Sequence, residues 1–292
     1  MITLIPTSSA EHLAKLIESE NGYSIVYPDK NKDGSRYFPD GEIYTRLSTR
    51  DDISGKVIVL HAGSPDPSRG LIELEMLLEI LKKSNADSIE IFFTYLPYSM
   101  QDKEFHIGDT NAAENIFRKL ISYYGIKKIF TIDLHCAGRL WVTNYPIINV
   151  SANVLLKQAA LNDYPDAVFV TPDGGHERRI GVKGTKKRRL HSFDSEMSSD
   201  NEFRTLVKGK SVGVIDDNLE TGGTLVRFYE ECIQCGAKDI FALITHGLLD
   251  DGIATISNIF SKLYLSNAVN RKESNVDISS LILSTISKHH EV

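Results

Sequence analysis

The sequence predicts an α/β protein with two similar domains, each built on a parallel β-sheet. In the first half, strand-like runs such as KVIVLHA and SIEIFFTYL alternate with helix-like runs such as LIELEMLLEILKK. The second half repeats this alternation with VFVTPD, SVGVIDD and DIFALITHG. Such alternation is typical of a parallel sheet whose strands are connected by helices that cover it.

An internal similarity supports the division into two domains. The segment that begins at Gly55-Lys56-Val57 aligns with the segment that begins at Gly209-Lys210-Ser211, and each then reads as strand, loop, helix and strand. We therefore expect an N-terminal domain over residues 1–145 and a C-terminal domain over residues 146–292.

The composition is that of a globular protein, and its one basic cluster, residues 186–189, suits a small anionic ligand better than nucleic acid. The 292 residues are 41% hydrophobic and 25% charged, and the net charge of −6 disfavours general binding to nucleic acid. No apolar run has the roughly 20 residues that span a bilayer, and the first residues show neither a basic leader nor a long apolar segment. The three cysteines form no disulfide framework. We therefore expect a cytoplasmic protein without membrane partners.

The segment VIDDNLETGGTL, residues 214–225, carries the strongest binding signal. Gly222 and Gly223 allow backbone N–H groups to converge on an anion, and the hydroxyls of Thr221 and Thr224 add donors. The helix predicted after them contributes the positive end of its dipole. We interpret this turn as a cradle for a phosphate monoester. No Walker A string occurs in the chain, so the phosphate belongs to another kind of ligand.

Asp216 and Asp217 end the predicted strand, one short loop before the phosphate cradle. Carboxylates at this position accept hydrogen bonds from vicinal hydroxyls, as an acidic residue does for ribose in dinucleotide-binding folds, or they hold a divalent cation. A sugar phosphate would satisfy both parts of the loop. The plainer alternative is an Asx-type turn with a helix cap, which needs no ligand.

This loop resembles the phosphoribosyl-diphosphate binding loop of type I phosphoribosyltransferases and of ribose-phosphate diphosphokinases. The diphosphokinases contain two domains of this kind, so the internal similarity favours them. The resemblance implies two domains of the type I phosphoribosyltransferase fold. It also implies that the ribose phosphate is bound by Asp216, Asp217, Thr221, Gly222, Gly223 and Thr224.

Two segments of the first half resemble the ATP-binding segments of the diphosphokinases. Residues 38–42, FPDGE, resemble Phe-x-Asp-Gly-Glu, although taken alone they are better explained by a hairpin turn that needs no ligand. Residues 96–102, LPYSMQD, resemble the segment of the family that begins with Pro-Tyr and ends with Arg-Gln-Asp, with Met100 in place of the arginine. Since the first segment often completes the ATP site of a neighbouring subunit in this family, a homo-oligomer is also implied. The implied ATP-binding residues are Phe38, Asp40, Glu42, Gln101 and Asp102.

The same resemblance implies a Mg²⁺ site and two catalytic residues. His135, at the end of TIDLH, and Asp173, in VTPDGG, match the residues implied to hold Mg²⁺. Lys187 and Arg189 match the basic residues of the catalytic loop, where they would stabilise the transferring phosphates. A solvated charged face is the ordinary alternative for this basic run. The chain between Asp173 and Lys187 is shorter than the family pattern by about one helix.

The implied reaction is transfer of the β,γ-diphosphoryl group of ATP to the anomeric hydroxyl of ribose 5-phosphate, which gives phosphoribosyl diphosphate and AMP. Three alternatives remain open. The short segment over residues 174–186 would admit a larger acceptor such as ADP-ribose. A phosphoribosyltransferase would use the same phosphate loop, but it leaves the ATP-like segments unexplained. The loss of arginine at Met100 points to a non-catalytic regulatory partner of a synthase, which the retention of His135, Asp173 and Lys187 opposes.

Overall fold

The computed structural model describes residues 2–18, 20, 22–172 and 201–290. Contacts between residues divide the chain into two compact units. The first unit comprises Met1–Val150, Ala268–Asn270 and Ser279–Val292, and the second comprises Ser151–Asn267 and Arg271–Ile278.

The first unit is built on a six-stranded sheet in the order β2-β1-β3-β4-β5-β6, with parallel pairing throughout. Its helices cover both faces. The strands are β1 Ile2–Pro6, β2 Tyr23–Ile25, β3 Ser54–Ala62, β4 Asn85–Tyr95, β5 Ile129–Ile132 and β6 Ile147–Val150. The helices are Glu11–Ile17, Pro67–Leu81, Ala112–Ser122 and Ser279–His290.

The central strands of this sheet are buried on both faces, which explains their continuous apolar sequence. Val57 and Val59 pack in the same core as Leu74 and Phe117, which lie on the helices over that face. On the other face, the ring of Phe130 contacts the rings of the C-terminal histidines His289 and His290.

Three segments after residue 145, where the sequence was expected to divide, lie in the first unit: residues 146–150, Ala268–Asn270 and Ser279–Val292. β6 pairs with β5 from Ile147 to Val150, so these residues complete the first sheet. The helix Ser279–His290 also packs on the first unit, where the Oγ of Ser287 lies 3.0 Å from the Tyr23 hydroxyl. The chain therefore returns to its first unit at its C-terminal end.

The second unit has a four-stranded sheet in the order β10-β9-β8-β7, again with parallel pairing. The strands are β7 Val168–Val170, β8 Ser211–Leu219, β9 Asp239–Gly247 and β10 Leu263–Leu265. The helices are Asn153–Asp163, Gly223–Gln234 and Asp250–Ile259, and residues 201–207 are also helical. The two parallel sheets confirm the predicted α/β class.

A glycine in the middle of β8 allows two aromatic rings to approach the backbone closely. A Cβ atom on Gly213 would lie 2.7 Å from the ring of Phe169 and 2.8 Å from that of Phe241. Phe241 in turn stacks on Tyr164 with ring centroids 4.2 Å apart. In the described part of the chain, no helix is both long and apolar enough to cross a membrane.

His61 is a buried, uncharged histidine at the end of β3. Its side chain is fully buried, and Nδ1 lies 2.9 Å from the Thr7 hydroxyl. Burial lowers the pKa of His61 to about 3, because the imidazolium form would lose its hydration without gaining a counter-charge.

We expect His61 to make the protein less stable as the pH falls. Its folded pKa lies below its unfolded value of about 6.5, so the unfolded state binds the extra proton between these two values and stability is lost across that window. Between pH 7.5 and pH 4.5 the loss due to His61 amounts to about 3 kcal/mol. Urea unfolding at both pH values should show that His61→Asn removes this part of the pH dependence. Equal pH dependence in the two proteins would contradict the assignment.

Candidate functional site

The strand β8 carries the predicted ribose-binding aspartates and continues beyond them. Asp216 pairs with Ile244 of β9, and the ladder extends to Leu219 opposite Gly247. Asp217 is buried, whereas Asp216 is partly exposed and accepts a hydrogen bond from the Asp217 N–H at 3.1 Å. Because successive side chains of a strand point to opposite faces, a ligand bound at the end of β8 would meet the two carboxylates from two sides.

The turn after β8 has the geometry of an anion-binding helix start. Gly222 has φ +80°, which is a left-handed backbone that favours glycine, and it is the N-cap of the helix Gly223–Gln234. A glycine N-cap has no side chain to accept from the first N–H groups of the helix, so the helix cap considered as an alternative is not formed at this residue. Thr221, Gly223 and Thr224 are exposed, so a ligand can reach the turn.

A second glycine, Gly252, allows the neighbouring helix to pack directly against the backbone of this turn. A Cβ atom on Gly252 would lie 1.7 Å from the carbonyl oxygen of Glu220, which is shorter than any allowed contact. Only glycine therefore lets the helix Asp250–Ile259 touch the backbone of the loop. The Leu248 N–H also donates to the Leu219 carbonyl at 2.8 Å, so the loop is tied to the segment after β9.

The predicted ATP segment at residues 38–42 is a tight hairpin. The Phe38 N–H donates to the Glu42 carbonyl at 2.8 Å, and the Gly41 N–H donates to the Phe38 carbonyl at 2.9 Å. The ring of Phe38 is 43% exposed, and Asp40 and Glu42 are exposed as well. The hairpin thus presents one aromatic ring and two carboxylates to solvent.

The base of this hairpin is held by a buried ionic cluster that sequence reasoning missed. Arg36 is 6% exposed, forms an ion pair with Glu11, and lies 3.6 Å from the Glu73 carboxylate. Glu73 also accepts hydrogen bonds from the N–H and the hydroxyl of Ser8, at 2.8 and 2.5 Å. Charged groups are buried in this way only when they are paired, so the cluster fixes the hairpin to the first unit.

The two predicted ATP residues after β4 have different environments. The Gln101 side chain is exposed, while its carbonyl accepts from the Ala113 N–H at 3.1 Å. Asp102 is 4% exposed, and its carboxylate accepts two hydrogen bonds from Arg139, at 2.6 Å from Nε and 3.0 Å from Nη2. These hydrogen bonds raise the pKa of the Arg139 guanidinium, which keeps it charged. The Asp102 carboxylate therefore faces protein rather than solvent.

His135 follows β5 at the carboxyl edge of the first sheet. It begins the 3₁₀ helix His135–Gly138, is partly exposed, and comes two residues after Asp133, whose φ of 42° is unusual for a residue with a side chain. The Leu134 N–H between them donates to the Asn149 side chain at 2.8 Å. The turn is thus anchored to β6.

The other predicted Mg²⁺ ligand, Asp173, and the predicted catalytic residues Lys187 and Arg189 lie outside the described residues. Within the described ranges, no group of three or more His, Cys, Asp or Glu side chains is arranged to hold a metal ion. Mg²⁺ usually keeps several waters and takes few protein ligands beside substrate phosphates. A site with one or two protein ligands therefore fits Mg²⁺ brought in with a nucleotide.

We predict that Gly252→Ala weakens both the fold and the phosphate turn. The added methyl group overlaps the Glu220 carbonyl, so the helix must shift and carry the loop with it, which costs about 1–3 kcal/mol. Urea unfolding and calorimetric titration with ribose 5-phosphate, the acceptor implied by the sequence, should show lower stability and weaker binding. Ser257→Ala, at an exposed position of the same helix, is the control. Unchanged binding and stability in Gly252→Ala would show that the loop does not depend on this contact.

Comparison with known proteins shows similarity in sequence and in fold to ribose-phosphate pyrophosphokinases. Residues 2–123 match the family described as the N-terminal domain of ribose phosphate pyrophosphokinase. The ribose-phosphate pyrophosphokinase of Pyrococcus abyssi is 28% identical over 94% of this chain and 95% of its own, and that of Pyrococcus furiosus is 25% identical over 97% and 100%. The fold matches the crystal structure of phosphoribosylpyrophosphate synthetase from Mycobacterium smegmatis, with a TM-score of 0.80, 23% identity and 99% coverage of both chains. The chain is therefore similar to ribose-phosphate pyrophosphokinases over nearly its whole length.

Proposed function

We propose that this enzyme transfers the β,γ-diphosphoryl group of ATP to the anomeric hydroxyl of ribose 5-phosphate, giving phosphoribosyl diphosphate and AMP. The observation that carries the proposal is the exposed turn Thr221–Thr224 at a helix start, four residues after the β8 carboxylates of Asp216 and Asp217. Alignment with pyrophosphokinases over nearly the whole chain supports the same reaction.

On the acceptor side, the turn would bind the 5-phosphate and the aspartates would bind the ribose hydroxyls. The N–H groups at the start of the helix Gly223–Gln234 and the positive end of its dipole attract a phosphate. Asp216 and Asp217 are acceptors for hydroxyl donors when they are ionised. The phosphate fixes the position of the sugar, and the hydroxyl contacts fix its orientation.

On the ATP side, the exposed groups of the first unit would meet the nucleotide. The exposed ring of Phe38 offers a stacking surface for adenine, and Asp40 and Glu42 offer acceptors for ribose hydroxyls. The exposed amide of Gln101 is available to a nucleotide as well. Asp102 is engaged with Arg139, so we assign it an indirect contribution.

We assign Lys187 and Arg189 to the transferring phosphates, and His135 and Asp173 to Mg²⁺. When bound, Mg²⁺ neutralises the charge of the ATP phosphates. The two basic side chains would stabilise the charge that grows on the transferring group. Positioning and charge neutralisation are the main requirements of phosphoryl transfer, so no covalent intermediate is needed.

A larger acceptor such as ADP-ribose is a second candidate, favoured by the short segment over residues 174–186. Its distal ribose also offers an anomeric hydroxyl. We further propose that the enzyme is cytoplasmic. We also propose that it is homo-oligomeric, because residues 38–42 form an exposed hairpin of the kind that would complete a neighbour's ATP site.

The function is tested by identifying the products. The protein is incubated with Mg-ATP and either ribose 5-phosphate or ADP-ribose, and the products are separated and identified by mass. We expect AMP and phosphoribosyl diphosphate with ribose 5-phosphate, and no AMP when Mg²⁺ is chelated. AMP formation with ADP-ribose alone would identify the larger acceptor. No AMP with either acceptor would exclude diphosphoryl transfer to both.

We predict that Asp217→Asn raises the KM for the acceptor by about tenfold or more, because an amide is a weaker acceptor of hydroxyl hydrogen bonds than a carboxylate. The KM for Mg-ATP should change little. Steady-state kinetics with each substrate varied in turn measures both constants. Asp166→Asn, at an exposed position before β7, is the control. An unchanged acceptor KM would remove Asp217 from the ribose site.

We predict that Lys187→Ala lowers kcat by a factor on the order of 100 or more, roughly 3 kcal/mol, with little change in either KM. The reason is that charge on the transferring group is greatest in the transition state. Lys186→Ala, one residue away, should have a much smaller effect. If instead kcat stays normal and KM rises strongly, the basic run only attracts anions.

A further inference from the structure

Asp102 and Arg139 form a bidentate ion pair between two neighbouring loops of the first unit. Asp102 lies after β4 and Arg139 lies directly after the 3₁₀ helix His135–Gly138. Both carboxylate oxygens accept, at 2.6 and 3.0 Å from the guanidinium nitrogens. Trp141 adds a third contact, because its Nε1–H donates to the Asp102 carbonyl at 3.0 Å. We call these three residues the Asp102 brace.

The brace connects the two segments that carry ATP-side groups. β4 and β5 are adjacent parallel strands, with Phe92 opposite Phe130, so the loops after them leave the same edge of the sheet. One loop carries Gln101, immediately before Asp102. The other carries His135, four residues before Arg139. Fixing Asp102 to Arg139 therefore restricts the distance between Gln101 and His135.

The part of the loop beyond Asp102 has contacts of its own. The Gly108 N–H donates to the Glu104 carboxylate at 2.6 Å, and the His106 N–H donates to the Asp109 carboxylate at 2.8 Å. The side chains of this part, such as Phe105, are exposed. The brace is thus the contact that ties this end of the loop to the neighbouring turn.

The pair differs from an ordinary surface salt bridge. Exposed pairs contribute little, because water solvates both charges when the pair breaks. The Asp102 side chain is only 6% exposed, so loss of Arg139 would leave a buried carboxylate without its counter-charge. Lysine keeps the positive charge but cannot reproduce the two parallel hydrogen bonds of a guanidinium.

We infer that Arg139 is a positioning residue for ATP binding. Through its contact with Asp102, and together with Trp141, it fixes the position of Gln101 relative to His135. The inference rests on the proposed function, because it assumes that these two side chains meet Mg-ATP. Asp102 then contributes to ATP binding without touching the nucleotide, in contrast to the direct contact that the family resemblance implies. Arg139 does not belong to any of the segments that carry the resemblance.

The test compares Arg139→Ala, Arg139→Lys and Asp102→Asn with the native protein, and uses Arg50→Ala as control because Arg50 belongs to an exposed ion pair. Affinity for Mg-ATP and for ribose 5-phosphate is measured by calorimetry, without turnover. Trp141 is the only tryptophan of the chain, so its fluorescence reports directly on the brace. Thermal unfolding of each variant shows whether it is folded.

We expect Arg139→Ala to shift the Trp141 emission to the red and to weaken Mg-ATP binding by about tenfold or more, the scale of a misplaced binding group. Ribose 5-phosphate affinity should stay within about twofold of the native value in the same variant. Arg139→Lys should have an intermediate affinity for Mg-ATP. The double variant Arg139→Ala with Asp102→Asn should bind Mg-ATP no more weakly than either single variant, because each change removes the same interaction.

Three outcomes would overturn the inference. A shifted Trp141 emission with unchanged Mg-ATP affinity would show that the brace is only structural, and equal weakening of both ligands would show a general loss of structure. Native protein that does not bind Mg-ATP would also overturn it. Native protein that binds Mg-ATP but releases no AMP would refute the proposed function, while the affinities of the variants would still test the brace.

Discussion

Parallel strand pairing is the constraint that brings the loops carrying Gln101 and His135 together in the first unit and positions the phosphate turn in the second. Parallel strands all end at the same edge of their sheet, whereas antiparallel pairing would send neighbouring strand ends to opposite edges. In the first unit, this brings the segment after β4 next to the turn after β5, so that Asp102 can reach Arg139. In the second unit, it places the phosphate turn after β8 beside the segment after β9, where Leu248 donates to Leu219.

At two places, an exposed residue predicted to meet a ligand lies within two positions of a buried charged residue that holds it in place. Gln101 is exposed and Asp102 is buried, and Phe38 is exposed near the buried Arg36. The pairing has a physical reason. A binding group must be accessible, but it binds tightly only if its backbone is already fixed, and a buried ion pair fixes the backbone with strong directionality. The binding residue and its support therefore occupy neighbouring positions with opposite burial.

The sequence predicted the parts of the structure that have local signatures. Alternating apolar runs indicated both parallel sheets, and the string Thr-Gly-Gly-Thr indicated a turn at a helix start, which the structure has at Gly222 and Gly223. Other features depend on residues far apart in the chain. The packing of the last helix on the first unit brings Nε2 of His290 within 2.8 Å of the Glu90 carboxylate. No local sequence pattern at either residue predicts this contact. The ion pair of Asp102 with Arg139, 37 positions away, could not be predicted for the same reason.

The charge pattern of the phosphate turn explains how an acidic chain could select a sugar phosphate. On the proposed assignment, Asp216, Asp217 and Glu220 repel a bare phosphate that approaches the turn, while short-range N–H and hydroxyl donors and the helix dipole attract it. A free phosphate gains the attraction but also meets the repulsion. A ribose phosphate brings hydroxyl donors to the carboxylates together with its phosphate, so the same negative charges become favourable contacts. Selectivity for a ribose phosphate then requires both the carboxylates and the positive helix start of the same loop, because neither group distinguishes it from free phosphate alone.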